Sequence, residues 1–291
     1  MLFNPTQSPK QLVEAAYKAL DDAELYYGHG TDNAWDEACW LVESFLRHHP
    51  ADTMPVLTES QLGELQHLLD RRIQERIPLA YLLQEAWFAG LPFHVDERVL
   101  VPRSPLAELI TADFATLLEQ APQRILDLCT GSGCIGIAAA LQYPDARVVL
   151  SDLSADALEV ARINISKYQL EGRVEAVQSD LFEQVTGVFD LILCNPPYVG
   201  QAEYAALPDE YHREPRPALL CEDEGLAIPL AILRQAADFL SPQGCLVLEV
   251  GNSWEALEQA IPDFPFLWLE FERGGHGVCA LNAADLRKLK G

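Results

Sequence analysis

The chain has 291 residues, 49% of them hydrophobic and 22% charged, the balance of a globular protein rather than a disordered one. Twenty Lys and Arg stand against 44 Asp and Glu, a formal net charge of −24; such a surface repels a phosphate backbone and favours a basic partner, so no direct nucleic-acid requirement is expected. The opening MLFNPTQSPK lacks the basic and apolar regions of a secretory signal, no apolar run approaches the roughly 20 residues that span a bilayer, and seven scattered cysteines without a Cys-x-x-Cys pair predict a reducing cytoplasm and no metal site.

The first elements read as helices. SPKQLVEAAYKALDDAEL puts Leu12, Ala16, Tyr17 and Leu20 on one face, and AWDEACWLVESFLRHH does the same with Trp35, Ala38, Leu41, Val42 and Phe45. TESQLGELQHLLDRRIQERI opens on Thr58 as an N-cap and carries Leu62, Leu65, Leu68, Leu69 and Ile73. His48 and His49 lack an acid or Cys at ligand spacing and read as a solvated helix end. The spacing thus predicts a helical N-terminal domain over residues 1–84, expected to dock a protein substrate, with stiffening of the scaffold as the alternative.

From Pro78 the texture changes. AWFAGLPFHVDERVLVPRSP, with aromatic and β-branched residues around Gly90-Leu91-Pro92, predicts a short hairpin within a linker over 85–105. Beyond it, 106–291 alternates short apolar runs with helical stretches. RILDL, RVVLS, RVEAV, FDLILCN, GCLVLEV, FLWLEF and GVCALN are the strand candidates; CIGIAAALQ, SADALEVARINISKY and GLAIPLAILRQAADFL are the clearest helices between them. That order predicts an α/β, doubly wound, mainly parallel sheet covered on both faces. The last two strands, separated only by ERGGHG, should form an antiparallel hairpin.

Chemistry gathers where strands end. Gly131-Ser132-Gly133-Cys134-Ile135-Gly136 joins a strand to a helix, as needed when backbone N–H groups must approach a ligand closely. The next strand ends at Asp152, about 20 residues on, where an acid accepts hydrogen bonds from a ribose diol. Ser154 can cap the following helix, leaving Asp152 for the ligand. VQSDLF places Asp180 at the end of the third strand, where its carboxylate suits an adenine amino group; together with the motif that ends the fourth strand, this favours an adenosyl sulfonium over a dinucleotide. The fourth strand ends in Asn195-Pro196-Pro197-Tyr198, two rings that remove two backbone donors and lock the strand exit. Strand carboxyl ends meet at one crevice, so Gly131, Asp152, Asp180 and Asn195 should converge. His212, Arg213 and Glu214 read as a solvated loop, and His276 as a turn residue.

The set Asp127-Leu128-Cys129-Thr130-Gly131-Ser132-Gly133, Asp152, Asp180 and Asn195-Pro196-Pro197-Tyr198 resembles the class I S-adenosylmethionine-dependent methyltransferases (Rossmann-like) that modify planar nitrogens. The order of helical domain, VLVPR and catalytic domain is similar to the protein-glutamine N5-methyltransferases. One branch acts on peptide chain release factors and usually shows Pro-Arg-Pro-x-Thr-Glu; here Pro102-Arg103-Ser104-Pro105-Leu106-Ala107-Glu108, LPDEYHREP and EVGNSW resemble the branch that modifies a glutamine of large-subunit ribosomal protein L-three. The resemblance covers nearly the whole chain. It implies a seven-stranded sheet with an antiparallel last strand, S-adenosyl-L-methionine as methyl donor and S-adenosyl-L-homocysteine as product. It also implies that Thr130, Gly131, Ser132 and Gly133 line the methionine part, that Asp152 holds the ribose, and that Asp180 and Leu181 hold the adenine. By the same resemblance Asn195 is expected near the methyl donor, and Asn195, Pro196, Pro197, Tyr198 and Arg103 are expected to meet the substrate, with Glu108 shaping the channel. Cys134, where relatives often have Ala, is a mild departure.

A glutamine amide nitrogen is a poor nucleophile, and no side-chain base removes its proton usefully near neutral pH. Two acceptors, the Asn195 side-chain oxygen and the Pro196 carbonyl, would take its two N–H hydrogens and favour positive charge developing on nitrogen; Tyr198 offers a flat wall. The same motif suits an adenine-N6 DNA methyltransferase, against which the acidic surface and the small room outside the catalytic domain argue. A nicotinamide-dependent oxidoreductase or a nucleotide sensor would share the glycine loop but leave the fourth-strand motif without purpose.

Overall fold

The structure, a computed structural model, describes residues 2–49, 57–115 and 117–289. Its contacts divide the chain into two units: one runs to Ala86 and also takes in Pro208–Arg213, and the other holds Trp87–Leu207 and the chain from Glu214 onward.

In the first unit α1 (Pro9–Asp21), α2 (Ala34–His48), α3 (Glu59–Glu75) and α4 (Leu79–Leu83) pack their apolar stripes together. Each of the three long helices starts at a side-chain cap. The Ser8 and Thr58 hydroxyls accept from the Gln11 and Gln61 amides, whose side chains reach back to the cap residues, and Asn33 accepts from Asp36 N. Leu12, Ala16, Leu20, Ala38, Leu41, Val42, Phe45, Leu62, Leu65 and Leu69 are buried, as their spacing predicts. Trp35 departs from that stripe: it is 43% exposed and stands edge-on to Tyr17, ring centroids 5.5 Å apart. His48 and His49 bond back to the Ser44 and Phe45 carbonyls one turn earlier, at 2.8 and 2.9 Å.

The interior of this unit also holds charge. Arg72, fully buried in α3, donates through Nε to Glu37 Oε1 at 2.6 Å, through Nη2 to the Tyr26 carbonyl at 2.9 Å and through Nη1 to Glu210 Oε1 at 3.4 Å. Arg76 Nη1 and Tyr26 N donate to the same Glu210 oxygen at 3.2 and 3.1 Å. A buried charge is tolerable only when paired and hydrogen-bonded in this way. Glu210 therefore explains why Pro208–Arg213, distant in sequence, packs with the helices.

A two-stranded hairpin, β1 (Ala86–Phe88) and β2 (Leu91–Phe93), turns at Ala89 and Gly90, whose φ angles of 50° and 76° suit the twist of a tight hairpin. The second unit is built on β3 (Arg124–Leu128), β4 (Arg147–Asp152), β5 (Val174–Gln178), β6 (Phe189–Cys194), β7 (Leu240–Glu249), β8 (Leu267–Trp268) and β9 (Val278–Asn282), in spatial order β5-β4-β3-β6-β7-β9-β8. Strands β3 to β7 run parallel; β9 is antiparallel to β7, and β8 is antiparallel to β9. The sheet is seven-stranded and doubly wound, with its last strand reversed, as expected.

Around it lie α5 (Leu106–Thr111), α6 (Cys134–Gln142), α7 (Ala155–Lys167), α8 (Gln201–Ala206), α9 (Ala227–Gln235), α10 (Trp254–Ala260) and α11 (Ala283–Lys288). Ile125, Leu150, Leu191, Leu193 and Val247 bury against one set of helices, and Leu126, Leu128, Ile192, Leu246 and Leu248 against the other. Burial on both faces is why the central strands read as unbroken apolar runs rather than as alternating ones. FLWLEF, read as a whole strand, pairs only over Leu267–Trp268. It is an edge strand, and its exit is drawn off by Glu108, whose carboxylate accepts from Glu272 N and Arg273 N at 3.0 and 2.8 Å.

Candidate active site

The winding reverses between β3 and β6. From β3 the chain moves outward through β4 to β5, then returns to β6 and moves the other way to β7. The carboxyl ends of β3 and β6 thus flank the switch point, the usual place for a ligand in such a sheet.

Gly131 N donates to Asp152 Oδ2 at 2.9 Å, and Ser154 N donates to Asp152 Oδ1 at 2.9 Å. Ser154 also caps α7 through Ala157 N. Asp152 thus ties the glycine loop to the end of β4 while remaining partly exposed. Burial raises its carboxyl above the ordinary value, and the Ser154, Gly131 and Leu153 amides oppose that rise. Ser179 N donates to the Asp152 carbonyl at 2.9 Å; the Ser179 hydroxyl donates to the Leu181 carbonyl at 2.8 Å and accepts from Gln184 N at 2.9 Å. Those bonds shape the turn that carries Asp180, exposed, and Leu181, half-buried with φ 46°. The loops after β3, β4 and β5 are therefore laced together directly.

Thr130 and Ser132 turn inward. Both are buried; the Thr130 hydroxyl donates to Asp127 Oδ2, and the Ser132 carbonyl accepts from Asn164 Nδ2 at 2.9 Å. What the loop leaves open is the Gly131 backbone, beside which a Cβ would meet nothing within 4 Å. Gly136 serves packing: a Cβ there would stand 2.2 Å from Leu150 Cδ2 and 2.8 Å from Asp127 Cβ, so only glycine lets α6 approach β3 and β4 this closely.

Asp127 is the residue that pattern reading under-used. It is fully buried at the end of β3, with Oδ2 accepting from Thr130 and, at 2.8 Å, from Gly136 N. Its other oxygen, Oδ1, is buried with no hydrogen-bond partner among the described residues. Burial pushes this carboxyl up to about 7, against the lowering effect of the Thr130 and Gly136 hydrogen bonds, with the Asp152 charge adding to the rise. Its signal in the sequence was position alone: an acid inside an otherwise apolar strand, four residues before Gly131.

Pro196 is buried, and Asn195, Pro197 and Tyr198 are half-buried at the end of β6. Among the described residues nothing hydrogen-bonds the Asn195 carboxamide. The loop beyond is pinned by Val199 N to the Leu219 carbonyl and Cys221 N to the Val199 carbonyl, both at 2.9 Å. Arg103 meets Glu214 through two prongs, Nη1 to Oε1 and Nη2 to Oε2, each at 2.7 Å, and Val101 N donates to Glu214 Oε1 at 2.9 Å. Glu214 is 3% exposed, so its reading as part of a solvated loop does not hold. In LPDEYHREP, Glu210 and Glu214 are both interior anchors. His276 Nε2 lies 2.8 Å from Asn252 Oδ1, whose Nδ2 donates to Glu203 at 2.7 Å; it belongs to a surface chain, not merely to a turn. Among the described residues no cluster of three or more His, Cys, Asp and Glu is placed to hold a metal ion.

The family model of the methyltransferase small domain matches residues 110–209, the span from α5 through the fourth-strand motif. The ribosomal protein uL3 glutamine methyltransferase of Francisella tularensis is 45% identical over 296 residues, 99% of this chain and 94% of the relative. Its counterpart in Bordetella pertussis is 43% identical over 288 residues, 96% of each. The chain belongs to this family of glutamine methyltransferases. Among solved structures the catalytic domain of hMettl16, in complex with a MAT2A 3′UTR hairpin, superposes with a TM-score of 0.52 at 14% identity, covering 78% of this chain and 82% of that one; that likeness is one of fold.

Proposed function

We propose that this chain transfers a methyl group from S-adenosyl-L-methionine to the side-chain amide nitrogen, N5, of a glutamine in ribosomal protein uL3. The observation that carries the reading is 45% identity to a uL3 glutamine methyltransferase over 99% of the chain, with Asn195-Pro196-Pro197-Tyr198 at the open end of β6.

The donor supplies, when bound, an electrophilic methyl on a positively charged sulfur. The residues of the crevice fit it. A buried, unpartnered Asp127 oxygen suits an ammonium group, the empty space beside Gly131, whose own N–H is given to Asp152, admits a ligand closely, Asp152 at the end of β4 suits a ribose diol, and Asp180 with Leu181 suits an adenine. Thr130, whose hydroxyl is given to Asp127, and Ser132, whose carbonyl holds Asn164, fix the course of the loop along which Gly133 turns.

Catalysis falls to the motif. Asn195 Oδ1 and the Pro196 carbonyl accept hydrogen bonds from the two N–H groups of the target amide, Tyr198 gives its plane a wall, and one of the two protons passes to water once the nitrogen carries the methyl group. Acceptors strengthen as positive charge develops on nitrogen, so they favour the transition state over the ground state. Rigidity keeps both acceptors aimed without a cost at the moment of reaction. Arg103, engaged by Glu214, acts on the substrate channel by shape and not as a free charge.

The helical segment 1–84 is read as the docking domain, 85–105 as the linker and 106–291 as the catalytic domain. A protein that binds ribosomal RNA carries clustered Lys and Arg, and a chain of net charge −24 attracts it. No helix among the described residues is long and apolar enough to cross a membrane, and the cytoplasm, where ribosomes form, is the expected compartment. The test is incubation of the purified chain and labelled donor with undermethylated ribosomal proteins, release factors and adenine-containing DNA, the methyl then located by mass spectrometry. Label on a uL3 glutamine is expected; label confined to release factors or to DNA overturns the reading.

A further inference from the structure

The carboxylate of Glu249, the last residue of β7, has no part in the reaction as derived above, yet it is 5% exposed. Both of its oxygens are taken by hydroxyls. Ser104 Oγ donates to Oε2 at 2.5 Å, and the Tyr198 hydroxyl donates to Oε1 at 3.0 Å. Ser104 in turn accepts from Leu106 N at 3.2 Å. Burying an anion is costly, and a neutral amide of the same shape could satisfy two hydroxyls, because each hydroxyl accepts as well as donates. What a carboxylate adds is direction. It only accepts, so both hydroxyls must point their protons at it.

Tyr198 is held at two further places. A Cβ on Gly251 would stand 2.6 Å from Tyr198 Cε2, and one on Gly277 would stand 2.0 Å from the Gly251 carbonyl oxygen, so bare backbone presses on the ring edge. Ser253 Oγ donates to the Tyr198 carbonyl at 2.9 Å. The register places Cys194, the residue before Asn195, opposite Leu248, so Glu249 stands level with the motif on the neighbouring strand.

We propose that Glu249 is a positioning residue for methyl transfer, fixing the tilt of the Tyr198 ring and so the wall against which the target carboxamide lies, with Ser104 as its second anchor. The proposal rests on the functional reading above. Glu249 touches neither donor nor target; it acts through Tyr198.

The test uses the full chain, S-adenosyl-L-methionine and undermethylated ribosomal protein. Glu249→Gln, which keeps shape, is expected to lower kcat about tenfold while the KM for the donor stays within about twofold. Tyr198→Phe should show a loss of similar size, and the double variant should be no worse than the poorer single one, as for groups acting as one unit. Ser104→Ala is expected to give a smaller loss that likewise vanishes in the Tyr198→Phe background, which decides the matter should Glu249→Gln fold poorly. Wild-type kcat in Glu249→Gln, or losses that multiply in the double variants, overturns the proposal. A wild-type enzyme that leaves the ribosomal protein unmethylated sinks the functional reading instead, and that outcome is seen before any variant is measured.

Discussion

Asn195 offers an unengaged carboxamide at the end of a strand whose next residues cannot bend, and the separation of its role from donor binding is testable. Asn195→Ala is expected to bind S-adenosyl-L-homocysteine within about twofold of wild type by calorimetry while methyl transfer falls at least 100-fold, roughly the loss of one preorganised polar group. Wild-type turnover in that variant would remove the motif from the chemistry. Asp127 makes a different prediction. Its folded-state value, about 7, lies above the ordinary 3.8. The folded protein therefore holds this proton where the unfolded chain has lost it, and stability falls as pH rises from about 4 to about 7. Asp127→Asn should flatten that part of the stability curve, read as thermal midpoints of the donor-free protein at several pH values. Glu37, Asp152 and Glu249 are shifted in the same direction, so the comparison of variant with wild type isolates Asp127. Equal slopes in the two proteins would refute the assignment. Neither property was visible in the residue pattern, since burial and the unpartnered oxygen arise only when α6 closes over β3.

Helices, strands and turns followed local rules closely enough to be legible. Thr58 capped α3 with Gln61 three residues on, and the N-terminal stripes were buried at helical spacing, because both effects act within one turn of chain. Thr58→Ala is expected to cost about 1 kcal/mol in urea unfolding, whereas Gly136→Ala, which would drive a Cβ to 2.2 Å from Leu150, should cost about 1–3 kcal/mol and shift α6 against the glycine loop. A Gly136→Ala protein as stable as wild type would show that the close approach is not required. Elements failed to follow pattern where a distant group intervened. FLWLEF is a strand only over Leu267–Trp268, and just beyond it the Glu272 amide goes to Glu108, 164 residues away in sequence. Trp35 leaves its helical stripe for the Tyr17 edge.

At the scale of the molecule, charge and connectivity dominate. With a net charge of −24, kcat/KM for a basic ribosomal protein should fall steadily as salt rises toward roughly 0.5 M, while the KM for the donor moves little. Salt-independence would show that the acidic surface serves solubility alone. Glu210→Ala removes the carboxylate shared by Arg72, Arg76 and Tyr26 N. Leaving buried Arg72 partly uncompensated is expected to cost about 3–5 kcal/mol of stability in the unit that contains Pro208–Arg213.

Fold class, strand and helix order, the glycine loop and the fourth-strand motif were written in the chain itself, because periodicity, caps, glycines and prolines act on neighbours a few residues apart. The contiguous text LPDEYHREP gave no hint that Glu210 would join a helical unit while Glu214 gripped Arg103, nor did EVGNSW or VPRSP hint that Glu249 would hold Ser104 and Tyr198. Those bonds span 138, 111, 145 and 51 residues. A buried charge selects its partner by three-dimensional proximity in a medium that penalises every alternative, and that proximity exists only after the sheet has wound and the loops have met at its edge.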